Sequence, residues 1–110
     1  MTYDDELADR IRAVLSTESG VSEKRMFGGL AFLVDGHMAA AANRAGQLMV
    51  RVDPATSAEL TEQDGVELVV MRGRAMPGWL DIEQHAVDSE AELHRWVGLG
   101  VAYCRSLPPK

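Results

Sequence analysis

Cysteine, proline and aromatic residues are scarce in this sequence, and long apolar runs are missing. The 110 residues include one cysteine, four prolines and two each of Phe, Trp and Tyr. The single Cys104 cannot form an internal disulfide, which predicts a cytoplasmic protein. The longest apolar runs, Leu30–Val34 and Met38–Ala42, have five residues each, whereas a membrane-spanning helix needs about 20. We therefore expect no membrane contact.

Motifs that carry catalysis or bind metals are also missing from the sequence. His37, His85 and His94 do not fall at metal-ligand spacing, and no pair of closely spaced cysteines exists. No phosphate-binding loop, dinucleotide-binding glycine motif or nucleophile elbow is present. The carboxylate pairs occur at predicted helix starts, where the helix dipole explains them. The sequence thus predicts no catalytic residue, no metal and no cofactor.

The charge is net acidic and unevenly distributed. The formal net charge is −6, yet residues 24–51 carry four bases and a single acid, Asp35. An acidic chain is a poor binder of phosphate backbones by itself, so we expect a protein partner rather than direct nucleic-acid binding. A local basic patch is expected around Arg25, Arg51, Arg72 and Arg74.

The length predicts one domain over residues 1–107, with residues 108–110 as a short tail. An apolar stripe at helical spacing indicates a first helix, formed by Leu7, Ile11, Val14 and Leu15. Thr2 or Asp4 can cap its start, and Gly20 can end it.

A second, longer helix is predicted at the C-terminal end. Ser89 and Glu92 have the spacing of a capping box. The apolar stripe that follows comprises Leu93, Trp96, Val97, Gly100, Cys104 and Leu107. Cys104 therefore faces inward, and we expect it to be an inert buried thiol.

The middle of the chain is predicted to form strands. Their expected ranges are 23–27, 30–34, 37–42, 47–52, 66–70 and 79–82. Asp35-Gly36 between two apolar runs indicates a tight type I′ hairpin turn, and Asp53-Pro54 opens a short helix to about Glu62. Gly73–Gly78 is expected to be a loop. Central strands between terminal helices predict an α+β, two-layer sandwich with one mostly antiparallel sheet.

Two stretches stand out as candidate surfaces. In Lys24–Gly29, two adjacent glycines indicate either a close approach of a ligand or partner to the backbone, with Arg25 binding an anion, or a sharp bend that returns the chain to the sheet. Arg72–Trp79 is either a partner surface or a connecting loop whose apolar side chains enter the core. The candidate partner or ligand residues are Arg25, Phe27, Gly28, Gly29, Arg51, Arg74, Met76 and Trp79.

These stretches carry a family resemblance. Lys24–Phe32, Asp35–Met38, Leu48–Val52 and the Gly-Arg-x-Met-x-Gly-Trp motif of residues 73–79 resemble the N-terminal domain of the TfoX/Sxy family, over about residues 3–107. The family's namesakes are bacterial regulators of natural competence that act with a cyclic-AMP-dependent activator. The resemblance implies an α+β fold like that of type III secretion chaperones. The family has no established catalytic residues, so the resemblance assigns none to this sequence.

Three hypotheses for function follow. The first is a small non-enzymatic protein that acts through protein contacts as a transcriptional co-regulator, with transcription machinery or an activator as its partner. The second is a binder of, or enzyme acting on, a small anionic ligand held by Arg25, Arg51 and Arg74. The third is a structural homodimer that pairs through a sheet edge or the last helix.

Overall fold

The computed structural model describes residues 4–26 and 28–108, which form helices and one sheet. The helices are α1 (Asp5–Val14), α2 (Pro54–Leu60) and α3 (Glu90–Arg105), with short 3-10 turns at Leu15–Thr17 and Gln84–Val87. The strands are β1 (Val21–Met26), β2 (Gly29–Val34), β3 (His37–Ala42), β4 (Leu48–Arg51), β5 (Val66–Met71) and β6 (Arg74–Ile82).

The first helix begins as expected but ends earlier. The Asp4 side chain accepts a hydrogen bond from the Leu7 backbone N–H at 2.9 Å, which caps the N-terminus. The α-helix ends at Val14 and tightens into a 3-10 turn, well before Gly20. Gly20 instead has a φ of +72° in the bend before β1, and its carbonyl accepts from the Asp35 N–H.

All six strands belong to one antiparallel sheet with the order β1-β2-β3-β4-β6-β5. Asp35 and Gly36 both have positive φ, so the predicted type I′ turn between β2 and β3 is confirmed. The run Ala39–Ala42, a strong helix former by propensity, is a strand because that turn sets it beside β2.

The predicted loop over Gly73–Gly78 was wrong. Arg72 and Gly73 have φ values of +53° and +76° and form a second tight turn, so β6 starts already at Arg74. The register jumps between the pairs Val69↔Met76 and Leu68↔Leu80, which leaves residues 77–79 as a bulge. A bulge tolerates the missing N–H of Pro77, which an unbroken ladder would not.

The last helix has the predicted cap and inward stripe. Ser89 accepts from the Glu92 N–H at 3.1 Å. Cys104 is fully buried, as predicted, and its thiol lies 3.5 Å from the Met38 carbonyl oxygen. The stripe ends earlier than expected, because α3 stops at Arg105 and Leu107 lies beyond it.

The helices pack on a single face of the sheet. Side chains of α1 and α3 join those of the inner strands in one buried cluster around Phe32 and Trp96, and Leu60 of α2 packs against it. The α+β sandwich of one antiparallel sheet and terminal helices is therefore confirmed. Among residues 4–26 and 28–108, no helix has the length and apolarity to span a membrane.

Candidate functional site

The sheet face opposite the helices carries a methionine-rich surface, which we call the open face. Side chains alternate across a strand, and directly paired residues share a face. The pairs Ala41↔Met49, Leu33↔Met38 and Val69↔Met76 therefore lie away from the helices. Five of the six methionines in the sequence line grooves on this face: Met26, Met38, Met49, Met71 and Met76. In the described part of the chain, no helix covers them.

The open face contains two adjoining grooves. The first has a volume of about 220 Å³ and lies over Gly29 and Ala41, beside the turn that follows β3. The second has a volume of about 190 Å³ and is lined by Met38, Met49, Val69, Met71, Met76 and Trp79. Three methionines (Met38, Met49 and Met71) line both, so the two grooves form one continuous apolar surface.

The turn beside the first groove is held by an asparagine. The Asn43 side-chain carbonyl accepts from the backbone N–H groups of Ala45 and Gln47 at 3.0 and 2.9 Å. Its amide donates to Asp81 on β6 at 2.9 Å. These bonds fix the turn of residues 43–46 against the sheet, and Arg44 thereby lines the groove.

Arg51 lies between two aromatic rings. Its guanidinium carbon is 5.1 Å from the Trp79 ring centre and 5.4 Å from that of Tyr103. Both distances are within the range of cation–π attraction. Arg51 and Trp79 are directly paired across β4 and β6, so the stack holds Trp79 at the end of the second groove.

The three arginines proposed to bind one anionic ligand do not converge. Arg25 pairs with Leu30, a core residue, and so lies on the helix side of the edge strand β1. Arg74 is paired with Met71 on the open face, whereas Arg51 is paired with Trp79 and its guanidinium reaches Tyr103 of α3. Four strand spacings, about 19 Å, separate β1 from β6. A single ligand held by all three is therefore incompatible with this sheet.

The Gly28-Gly29 stretch is a bend that returns the chain to the sheet. Gly28 has a φ of +76°, and Met26 pairs with Gly29 across the turn. A side chain on Gly29 would lie 2.5 Å from the Ala42 carbonyl oxygen. The close backbone approach is therefore made by the chain's own β3. Phe27, the other candidate in this stretch, lies outside the described residues.

Basic side chains on the two layers have different surroundings. Arg10, Arg12, Arg95 and Arg105 belong to the helices, and each is within 4 Å of a carboxylate. On the open face, Lys24, Arg44 and Arg74 form no such ion pair with any described residue. The arginines of the helical layer thus have carboxylate partners, whereas the cations around the grooves have none among the described residues.

Two titratable groups, Asp81 on the open face and Cys104 between α3 and the sheet, have raised pKa values. Burial raises the pKa of Asp81; the hydrogen bond from Asn43 opposes this effect, and the nearby Glu67 charge adds to it. Burial also raises the pKa of the Cys104 thiol, which favours the inert protonated form.

Of the candidate residues, Met76 and Trp79 line the second groove and Gly29 lines the first; Met26, Met38, Met49 and Met71 were not among the candidates. The sequence signal that could have identified these methionines is the alternation of side chains along each strand. Met49 lies between the core residues Leu48 and Val50, which places it on the opposite face.

Fold and surface together define a small α+β domain whose sheet is covered by helices on one face and presents an apolar groove on the other. The sequence model of the TfoX N-terminal domain matches residues 13–103, which is most of the chain. This protein belongs to the TfoX N-terminal domain family. No curated protein matches it.

Proposed function

We propose that this chain is a non-enzymatic protein-binding module that acts in the cytoplasm as a transcriptional co-regulator, and that the open face is its contact surface. The single observation that carries the proposal is the concentration of five methionines on the uncovered face of the sheet. Thioether side chains are unbranched and polarizable, and they adapt to the apolar side chains of a partner.

The shape of the grooves favours side chains of a protein over an enclosed small ligand. Both grooves, of about 220 and 190 Å³, are partly open to solvent, whereas small-molecule pockets bury most of the surface of their ligand. The described residues that line the second groove are Met, Val and Trp, which offer apolar contact rather than proton transfer. Trp79 lies at the end of this groove, and tryptophan is a residue type enriched in interface hot spots.

Family membership supports the regulatory part of the proposal. The namesakes of the TfoX family regulate competence genes together with an activator protein, and this chain matches their N-terminal domain. The net charge of −6 adds support, because it favours contact with a protein over direct binding to DNA.

The test compares groove variants with a variant on the helical layer. Met49→Gln combined with Met76→Gln keeps side-chain length but introduces polar groups into the grooves. Leu99→Gln is the matched control, because Leu99 is an exposed apolar residue of α3. Each tagged chain replaces the native one in its host, followed by affinity purification and transcript profiling.

We expect the groove variant to lose its co-purifying partner and to reproduce the transcript changes of a deletion strain, while the control behaves as wild type. Unchanged transcription after deletion would contradict the regulatory role. Equal recovery of the partner by the groove variant and wild type would contradict the assignment of the open face.

A further inference from the structure

We infer that the open face recognises an acidic segment of a partner protein in which large apolar side chains alternate with Asp or Glu. This inference rests on the proposed function and adds the chemistry of the partner. Its basis is the combination of an apolar groove with uncompensated cations in a chain whose net charge is −6.

Paired and unpaired cations lie on different faces of the molecule. The helical layer uses four arginines in ion pairs with its own carboxylates. The open face carries Lys24, Arg44 and Arg74, and the register places two carboxylates, Glu67 and Asp81, on the same face.

The unpaired cations of the open face lie close to the grooves. Arg44 lines the first groove directly. Arg74 is paired with Met71, which lines both grooves, and Lys24 lies two residues from Met26 on the same face of β1. A chain that inserts apolar side chains into the grooves therefore passes within reach of cations at both ends of the surface.

Two other possible occupants of the grooves, a second copy of this chain and a nucleic acid, fit the surface less well. A second copy of this acidic chain would bring net negative charge, but its folded surface would have to supply both projecting apolar groups and carboxylates. Single-stranded nucleic acid would satisfy the cations, yet it stacks on aromatic rings, and the second groove is built mainly of methionine. An acidic, apolar peptide matches both the charge and the lining.

The experiment uses a fluorescein-labelled synthetic peptide that repeats Asp-Leu-Asp-Phe and a neutral analogue that repeats Asn-Leu-Asn-Phe. Binding to the full chain is measured by fluorescence polarization at low and high salt. Lys24→Glu and Arg74→Glu reverse charges on the open face. Arg25→Glu is the matched control, because Arg25 adjoins Lys24 in β1 but lies on the other face.

We expect the acidic peptide to bind more tightly than the neutral one and to weaken with salt, because exposed charges are screened over about 8 Å at physiological ionic strength. Each reversal on the open face should weaken binding about two- to tenfold, while Arg25→Glu leaves it unchanged. Thermal unfolding of each variant checks that the fold is intact.

Other outcomes would overturn the inference. Equal binding of both peptides, or an equal loss in Arg25→Glu, would show that the cations of this face do not select the ligand. A dimer in light scattering that Met49→Gln disrupts would make a second copy the occupant, and stronger binding of single-stranded oligothymidylate would make it a nucleic acid. If neither peptide binds while the groove variant still loses its cellular partner, the proposed function stands and this inference fails.

Discussion

Gly100 of α3 lies directly against the backbone of Ala39 in β3, with no space for a side chain between them. A Cβ atom at Gly100 would collide with the Ala39 carbonyl oxygen and would lie 3.2 Å from the Val50 side chain. The helix thus crosses the centre of the sheet at backbone contact. This close approach sets the distance between the two layers and keeps Trp96 and Cys104 buried.

Gly100→Ala is predicted to destabilise the fold by about 1–3 kcal/mol, because the helix must move away from a packed sheet. Gly98→Ala is the control in the same helix, since nothing lies within 4 Å of a Cβ there. This variant should gain about 0.5–1 kcal/mol from helix propensity. Urea unfolding measures both, and equal effects of the two substitutions would contradict the backbone contact.

Asp81→Asn is predicted to stabilise the protein at neutral pH. Burial raises the folded-state pKa of Asp81, so the folded state binds the proton more tightly than the unfolded state. The free energy of unfolding therefore falls as the pH rises from the ordinary Asp value through the raised one. Asn at this position can still accept the hydrogen bond from Asn43.

The advantage of Asp81→Asn over wild type should be larger at pH 7 than at pH values below the ordinary pKa of Asp, about 3.9. Thermal unfolding across this range tests it. An advantage independent of pH would show that the carboxylate is not the cause.

Asp4→Ala is predicted to cost about 1 kcal/mol at neutral pH through loss of the helix cap. The N–H of Leu7 and the amide of Gln84 donate to the Asp4 carboxylate and lower its pKa. A lowered pKa means that its contribution is present above the ordinary Asp pKa and is lost as the pH falls through the lowered value.

Chemical denaturation at neutral and acidic pH measures this effect, with Asp5→Ala as the control. Asp5 is exposed in the first turn and is expected to contribute only a few tenths of a kcal/mol through the helix dipole. A cost for Asp4→Ala that persists unchanged in acid would contradict the cap as its source.

Arg51→Lys is predicted to destabilise the protein by about 0.5–1 kcal/mol, because a compact ammonium cannot lie flat against two rings as a guanidinium does. Its partners are the rings of Trp79 and Tyr103. Arg74→Lys should change stability little, since Arg74 is exposed near a hairpin turn. Urea unfolding distinguishes the two, and a neutral Arg51→Lys would contradict the stacking.

Much of the secondary structure follows from local signals. The cap at Ser89, the stripe of α3 and the Asp35-Gly36 turn depend on residues near one another in the chain, and each is confirmed. The Arg72-Gly73 turn was missed because arginine rarely adopts positive φ. The pairing of β5 with β6 supports this turn, and that pairing was not apparent from residues 72 and 73 alone.

The sequence by itself determined the helices, the antiparallel class of the sheet, the buried cysteine and the family, because these depend on periodicity, turn residues and short motifs. Only the tertiary structure decided which sheet face stays open and which cations meet there. Alternation divides each strand into two sets of side chains, but the sets become faces only when strand pairing and helix packing bring distant residues together. Register therefore places Lys24 on the open face and Arg25, its neighbour, on the other.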